Sequence, residues 1–180
     1  MNLITRIGIT AEAYLAALLK KLWHGRALKL KGIPKLKMDT QLVMDKGTIS
    51  IEEHVSVNRR VSFSAVEGGN LTIGSGTTFN RNCIIICQDR IQIGAGCKFG
   101  PNVVVYDHDH KFDATGIQPG FKTGPIVIEP GCWIGAGAVI LRDTHIGTGS
   151  IIGAGAVVRG KIPPHSLVTG NRDLVIRPME

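Results

Sequence analysis

Residues 128–158 read IEPGCWIGAGAVILRDTHIGTGSIIGAGAVV and place an aliphatic side chain at every sixth position: Ile128, Ile134, Ile140, Ile146, Ile152 and Val158. Neither the 3.6-residue period of a helix nor the two-residue period of a lone strand gives that spacing. Toward the N-terminus the same register returns in triplets, as Ile93, Phe99, Val105, then Ile73, Phe79, Ile85, then Ile51, Val57, Phe63. One short strand plus one turn fills a six-residue unit. Three units bring the chain back over its own start, so the period predicts triangular coils of about 18 residues. Five coils stacked as parallel strands at about 4.8 Å would stand roughly 24 Å tall. Two places before the register positions stand Thr77, Cys83, Cys97, Cys132, Ala138, Thr144, Ser150 and Ala156. These small side chains suit a crowded inner corner.

The cysteines follow from this pattern. Cys83, Cys97 and Cys132 occupy the small slot and read as buried hydrophobes. No CxxC spacing points to zinc or redox chemistry, and free thiols are expected in a cytoplasmic protein. An acyl-cysteine mechanism is not expected.

Breaks in the register show where loops leave the stack. Four extra residues fall between Phe63 and Ile73, two between Ile85 and Ile93, and seventeen between Val105 and Ile128. A solenoid accepts insertions as corner loops, which commonly carry function. The largest, YDHDHKFDATGIQPGFKTGP at 106–125, holds His108 and His110, two of the six histidines.

The charge of +7 is local. Lys20, Lys21, Arg26, Lys29, Lys31, Lys35 and Lys37 fall in residues 20–37 with no acid among them, while the remaining 14 basic and 14 acidic residues cancel. Such a segment is a solvated linker, or it meets anionic lipid or a phosphorylated ligand. Nucleic acid is not expected, since no aromatic residues for base stacking are interleaved with the charges. In TAEAYLAALLKKLW, residues 10–23, Leu15, Leu18, Leu19 and Leu22 recur with helical spacing, and Thr10 is a candidate N-cap. This amphipathic helix either packs under the prism or, with its basic neighbours (residues 10–37), lies on a membrane. No apolar run reaches the roughly 20 residues of a spanning helix, and the start lacks a secretory signal's order. A cytoplasmic protein is expected, with peripheral contact at the inner face of the membrane as the other possibility.

LTIGSGTTFNRN (71–82), IQIGAGCKFGPN (91–102) and CWIGAGAVILRDTHIGTGSIIGAGAVVRGKIPP (132–164) resemble the hexapeptide-repeat acyltransferase family, over roughly residues 50–177. The resemblance implies a left-handed coil, against the usual right-handed rule for parallel crossovers. The fold expected is an all-β solenoid, a left-handed parallel β-helix of five to six coils. Residues 1–37 are then helix and basic linker. Residues 38–177 are the β-helix, with 38–50 an incomplete first coil and a loop inserted at 106–125. The family further implies acetyl-CoA as acyl donor, no required metal, and a homotrimer with CoA lying between neighbouring prisms.

GPNVVVYDHDHKFDA (100–114) resembles the segment of maltose- and galactoside-acetyltransferases that carries their catalytic histidine. Aligning the shared Gly-Pro-x-Val start puts that role on His110 and leaves His108 outside it. Such a histidine acts as general base on an acceptor hydroxyl. Asp107 and Asp109 either orient an imidazole or are ordinary turn residues. Asn82 matches the family's asparagine near the acyl centre, and Trp133, Gly135, Ala136 and Ala154 match its pantetheine groove. Arg159 and Lys161 replace the family's Thr-Lys before Ile162-Pro163, and the usual Gly-x-Pro is altered to Gly170-Asn171-Arg172. Arg172 and Arg177 are further candidates for the CoA phosphates.

The expected activity is O-acetylation of a saccharide, because DHDHKF and the basic N-terminus resemble the polysaccharide and lipopolysaccharide branch. An N-acetyltransferase acting on an amino-sugar nucleotide is the near alternative. A γ-type carbonic anhydrase shares the coil but needs two histidines five apart. None of His24, His54, His108, His110, His145 and His165 are so spaced. A catalytically inert scaffold is the third class.

Overall fold

A computed structural model describes residues 3–170. Leu3–His24 form a helix, α1, and nearly everything after it is short parallel strand. The strands stack on three faces. The first face carries Leu28–Leu30, Thr48–Ile51, Asn70–Ile73, Arg90–Ile93 and Ile126–Ile128, then the second halves of Val139–Ile146 and Val157–Ile162. The second carries Ser56–Val57, Thr78–Phe79, Lys98–Phe99, Trp133–Ile134, Ile151–Ile152 and Leu167–Val168. The third carries Gln41–Met44, Ser62–Ala65, Ile84–Cys87 and Val104–Tyr106, then the first halves of the two long strands. This parallel solenoid of about six turns is consistent with the left-handed coil that the resemblance implies.

All fifteen register residues, from Ile51 to Val158, are buried, and so are all eight residues of the small slot. Partners across coils sit in register, as in Val57↔Phe79↔Phe99↔Ile134↔Ile152. In the lower coils this column is aromatic: Phe79 stacks on Phe99 at 4.5 Å between ring centroids and meets Phe63 edge-on at 5.0 Å.

The stack reaches further back than the boundary at residue 37. Leu28–Leu30 pairs with Ile49–Ile51, Lys35 bridges to Ser56, and Gln41–Met44 pairs with Ser62–Ala65. A complete first coil therefore starts at Leu28. Leu30, Leu36 and Leu42 carry its six-residue register, a signal hidden among the lysines of a segment read as linker.

The helix departs from expectation in two ways. It begins at Leu3, so Thr10 lies inside it and not at its start. Gly8 costs a helix interior only about 1 kcal/mol relative to alanine, too little to end it. Nor does the leucine stripe pack under the prism. Among the helix side chains described, Ala16 and Ala17 are buried against the first coil, while Leu15, Leu18, Leu19 and Leu22 are exposed.

Candidate active site

Every register break leaves the stack at one edge, between the third face and the first. The short breaks are the turns at 66–69 and 88–89, and the long one lies between Val104–Tyr106 and Ile126–Ile128. The other two edges are closed by tight turns in the left-handed region, such as Arg60, Asn82 and Asn102 between the second and third faces.

The seventeen-residue insertion is an antiparallel hairpin of His108–Asp113 with Gly116–Thr123. Its turn is held by Asp113, whose Oδ1 accepts from the backbone N–H of Thr115 at 2.8 Å and from its hydroxyl at 2.6 Å. Those bonds lower the pKa of the Asp113 carboxyl. His110 pairs with Phe121 across the hairpin, and a bulge follows it. The Phe121 ring centroid lies 4.7 Å from that of His110 and 5.3 Å, edge-on, from that of His108. Tyr106, His108, Asp109, His110, Phe112 and Ile117 line an open cleft of about 520 Å³.

The two histidines differ in setting. His110 is exposed, and its ring packs only on Phe121 among the described contacts. His108 is half-buried, its Nδ1 3.2 Å from Oδ1 of Asp107. Donation from Nδ1 leaves its Nε2 as the acceptor. Asp107 is 0% exposed and has a second task. Its two oxygens accept the backbone N–H groups of Gln88 and Asp89, both at 2.8 Å, tying the hairpin's root to the coil below.

The coil above supplies a second clamp. Arg142 is 6% exposed and donates to Asp109 at 2.6 Å and to Asp143 at 2.5 Å. Arg159 donates to Asp143 at 3.1 Å and lies 3.9 Å from Asp109. On the hairpin's other leg, a Cβ at Gly124 would lie 1.9 Å from Oδ1 of Asp143. Asp109 thus holds Arg142, and Asp107 holds backbone and His108; neither carboxylate orients His110. Arg142 had no signal in the sequence beyond an unexplained basic residue inside the repeat.

The remaining site candidates lie elsewhere on the prism. Trp133 projects from the second face, 54% exposed. Ala136 and Ala154 are exposed at the edge where that face turns into the third. Asn82 is on the same edge at a lower coil, in a left-handed turn, its Nδ2 donating to Oδ1 of Asn102 at 2.9 Å. Gly135 is buried, and its missing side chain has another cause than ligand approach: a Cβ there would lie 2.6 Å from the backbone nitrogen of Ala154. Stacking of the next coil therefore demands glycine. Lys161 stands beside His145 on the first face, and Arg159 belongs to the hairpin's edge. Arg172 and Arg177 lie outside the described residues.

The structure thus gathers Asn82, Trp133, Ala136 and Ala154 along one edge, and His110, Arg142 and Arg159 along another. The third face separates them by about 13 Å for a strand of four residues. From Ile84 upward its outward positions, Ile84, Ile86, Val104, Tyr106, Val139, Leu141 and Val157, are apolar or aromatic. The coils below present Gln41, Val43, Ser62 and Ser64, and Arg159 stands at the face's hairpin edge. The corresponding positions of the first face are mostly polar, among them Ser50, Thr72, Gln92, His145 and Lys161.

All four cysteines are free and buried. Burial pushes the thiols of Cys83 and Cys97 up to about 11, and raises those of Cys87 and Cys132 as well. Thiolate nucleophiles are disfavoured at every one of them. Among the described residues no three His, Cys, Asp or Glu side chains gather as a metal-holding group.

The profile of the bacterial transferase hexapeptide family (six repeats) matches residues 125–160. A Staphylococcus aureus (strain MRSA252) protein named as an acetyltransferase is 34% identical over 148 residues, 82% of this chain and 73% of its own length. A Schizosaccharomyces pombe protein named likewise is 39% identical over 114 residues, 63% of this chain. The chain spans 55% of that yeast relative. Among solved structures, the hexapeptide-repeat acetyltransferase of Vibrio cholerae superposes with a TM-score of 0.56 at 26% identity, covering 76% of this chain and 75% of its own. AntD, an N-acyltransferase from Bacillus cereus crystallised with a dTDP-amino sugar and coenzyme A, gives a TM-score of 0.72 at 20% identity, over 90% of this chain and 89% of its own. That last likeness concerns the fold alone.

Proposed function

This chain belongs to the hexapeptide-repeat acetyltransferases, and from that premise we infer that it transfers the acetyl group of acetyl-CoA to a saccharide hydroxyl, in a site completed only between copies of the chain. One observation carries the reading: the two halves of the site border the same apolar stretch of the third face, from Ile84 to Val157. Three prisms packed side by side around an axis along the stack would cover that face. Such packing brings the Trp133–Ala154 edge of one copy against the His110 hairpin of the next.

In that site the neutral imidazole of His110 removes the acceptor hydroxyl's proton as the oxygen attacks the thioester carbonyl. The tetrahedral oxyanion collapses, the carbon–sulfur bond breaks, and the departing thiolate takes the proton from the imidazolium. Asn82 spends one amide hydrogen on Asn102 and keeps another for the oxyanion or the acceptor. Trp133 walls the thioester, and the small Ala136 and Ala154 leave room for the pantetheine arm. Lys161 with Arg159, Arg172 and Arg177 are the cations for the CoA phosphates. Saccharides of surface polysaccharides are the acceptor class, and the cytoplasm, which keeps thiols reduced, is the compartment.

The Asp107–His108 contact favours a second reading in which His108 is the base, since an adjoining carboxylate fixes its tautomer. An amine acceptor on a nucleotide sugar is the chemical alternative. CoA release from acetyl-CoA across free sugars, nucleotide sugars and lipid-linked saccharides, with His110→Ala as control, separates these cases. Mixing two inactive chains, His110→Ala and Ala154→Trp, should restore part of the activity, because some sites then pair an intact hairpin with an intact groove. No restoration on co-refolding would place both halves within one chain and refute the shared site.

A further inference from the structure

The exposed stripe of α1 takes no part in the acyl transfer proposed above, and its geometry is specific. At about 100° per residue, Leu15, Leu18 and Leu22 lie opposite Ala16 and Ala17, with Leu19 at the flank, while Trp23 falls on the side of Ala16 at the helix's last turn. Ala16 and Ala17 are buried against the first coil. The leucines therefore face away from the prism, out of its end, where no further coil stacks. Leu22 is 80% and Trp23 86% exposed. Side-by-side packing of prisms through the third face leaves this end uncovered.

The surroundings of the stripe are basic. Arg26, Lys29, Lys31 and Lys35 are exposed on the turn after the helix and on the first coil, at the same end. Lys20 and Lys21 reach backbone carbonyls, of Met38 for Lys20 and of Gly25 and Leu28 for Lys21. The acids at this end are Glu12, paired with Lys37 at 3.7 Å, Asp39, Asp45, Glu52, which meets Lys31 at 3.7 Å, and Glu53, which lies against Gly32. Cations prevail over acids. Two such ends brought together would set like charges face to face, which disfavours a second copy as the occupant. Among the described residues no helix is long and apolar enough to cross a membrane. A helix with leucines on its outer side, beside the exposed cations of the turn and first coil, suits the plane of a lipid interface.

We propose that this end of the prism docks on an anionic phospholipid bilayer, with Leu15, Leu18, Leu19 and Leu22 in the interface and the first coil's cations against the headgroups. Several copies sharing one axis would present their stripes to the same surface, so weak contacts would add as avidity. The full chain is mixed with vesicles of phosphatidylcholine alone, or with about one lipid in three phosphatidylglycerol, and the bound fraction is read by flotation. Binding to the anionic vesicles should exceed that to neutral ones about tenfold or more, and should fall steeply between about 0.05 and 0.5 M salt. The double variant Leu18→Glu, Leu22→Glu should lose at least about tenfold in binding with circular dichroism and sedimentation coefficient unchanged. Absence of flotation with either vesicle, or equal flotation of variant and parent, overturns the proposal. So does a fall in sedimentation coefficient, which would show that the leucines cover another copy. If the glutamates prevent folding, Lys29→Gln with Lys35→Gln decides: weaker flotation with a shallower salt dependence supports the lipid surface, and unchanged flotation refutes it.

Discussion

The coil stack and the hairpin at 107–124 are made by the same chain under opposite rules. In the stack each residue repeats a neighbour one coil away, so stability is spread over many equivalent contacts between adjacent coils. Nothing in it is unique enough to perform one chemical step. The hairpin repeats nothing. Its tip carries Phe112 and Ile117 in the open, and its root is fixed by Asp107 below and by Arg142 with Asp143 above. A rigid periodic body thus holds a single irregular element by two clamps. The difference predicts that damage to the hairpin removes activity and spares the fold, while damage to the stack does the reverse.

The largest effect tests the hairpin side. His110→Ala should lower turnover by about 10²- to 10⁴-fold, the usual contribution of a general base. Thermal unfolding should barely change, because the ring is exposed and meets only Phe121 among the described contacts. His108→Ala is the control that sharpens the claim. A greater loss of turnover there, with stability intact, would move the base to His108. The stack side is tested by Phe79→Ala, which removes the ring between Phe63 and Phe99. Denaturant unfolding should show a loss of about 3–5 kcal/mol. The comparison breaks if this variant unfolds like the parent, or if His110→Ala unfolds at markedly lower denaturant.

The asymmetry also decided what could be read from sequence. A period is visible in the residues themselves, so the six-residue register, the small slot and the place of the long insertion were all legible, and the structure buries every one of those register residues. Contacts made once are not periodic. Arg142 reaches Asp109 over 33 positions, and no local pattern announces that pairing. Gly135 shows a different limit: a glycine suits a ligand that approaches the backbone and a coil that does so, and only the folded structure shows the coil. The leucine stripe of α1 shows a third. Helical spacing reveals that an apolar side exists, but not whether protein or another phase lies against it.

Arg142 joins the two regions, and its replacement should affect both moderately. Arg142→Met keeps the buried stem's volume and removes the charge that Asp109 and Asp143 share. Both carboxylates are partly exposed and can turn to water, so the cost falls below that of a fully buried pair, at about 1–2 kcal/mol. Released at Asp109, the hairpin should place His110 less accurately, and kcat should fall more than the acetyl-CoA KM rises. Arg142→Lys should rescue this only in part, since an ammonium lacks the planar fork that spans two carboxylates. A variant with full stability and a changed KM alone would show that Arg142 binds substrate and positions nothing.

The smallest effect belongs to the stack's own electrostatics and leaves the hairpin untouched. Glu129 accepts from Nε2 of His145 at 2.7 Å and from the backbone N–H of Thr148 at 2.8 Å. These bonds, that from His145 foremost, favour the charged carboxylate and hold its pKa below the usual 4.5. A carboxyl depressed in the folded state contributes stability that is present in full above its ordinary value. That stability is lost as pH falls from about 4.5 through the lowered value. Glu129→Gln should therefore flatten the unfolding midpoint over that acid range by a small amount. Near neutral pH the maximal CoA-release rate should be unchanged, because the pair lies on the first face, away from His110 and from the Asn82–Ala154 edge, with only the proposed phosphate ligand Lys161 beside it. If Glu129→Gln instead lowered maximal turnover at neutral pH, the first face would carry part of the catalytic machinery beyond the phosphate contact of Lys161, and the division between a bearing stack and a working hairpin would fail there.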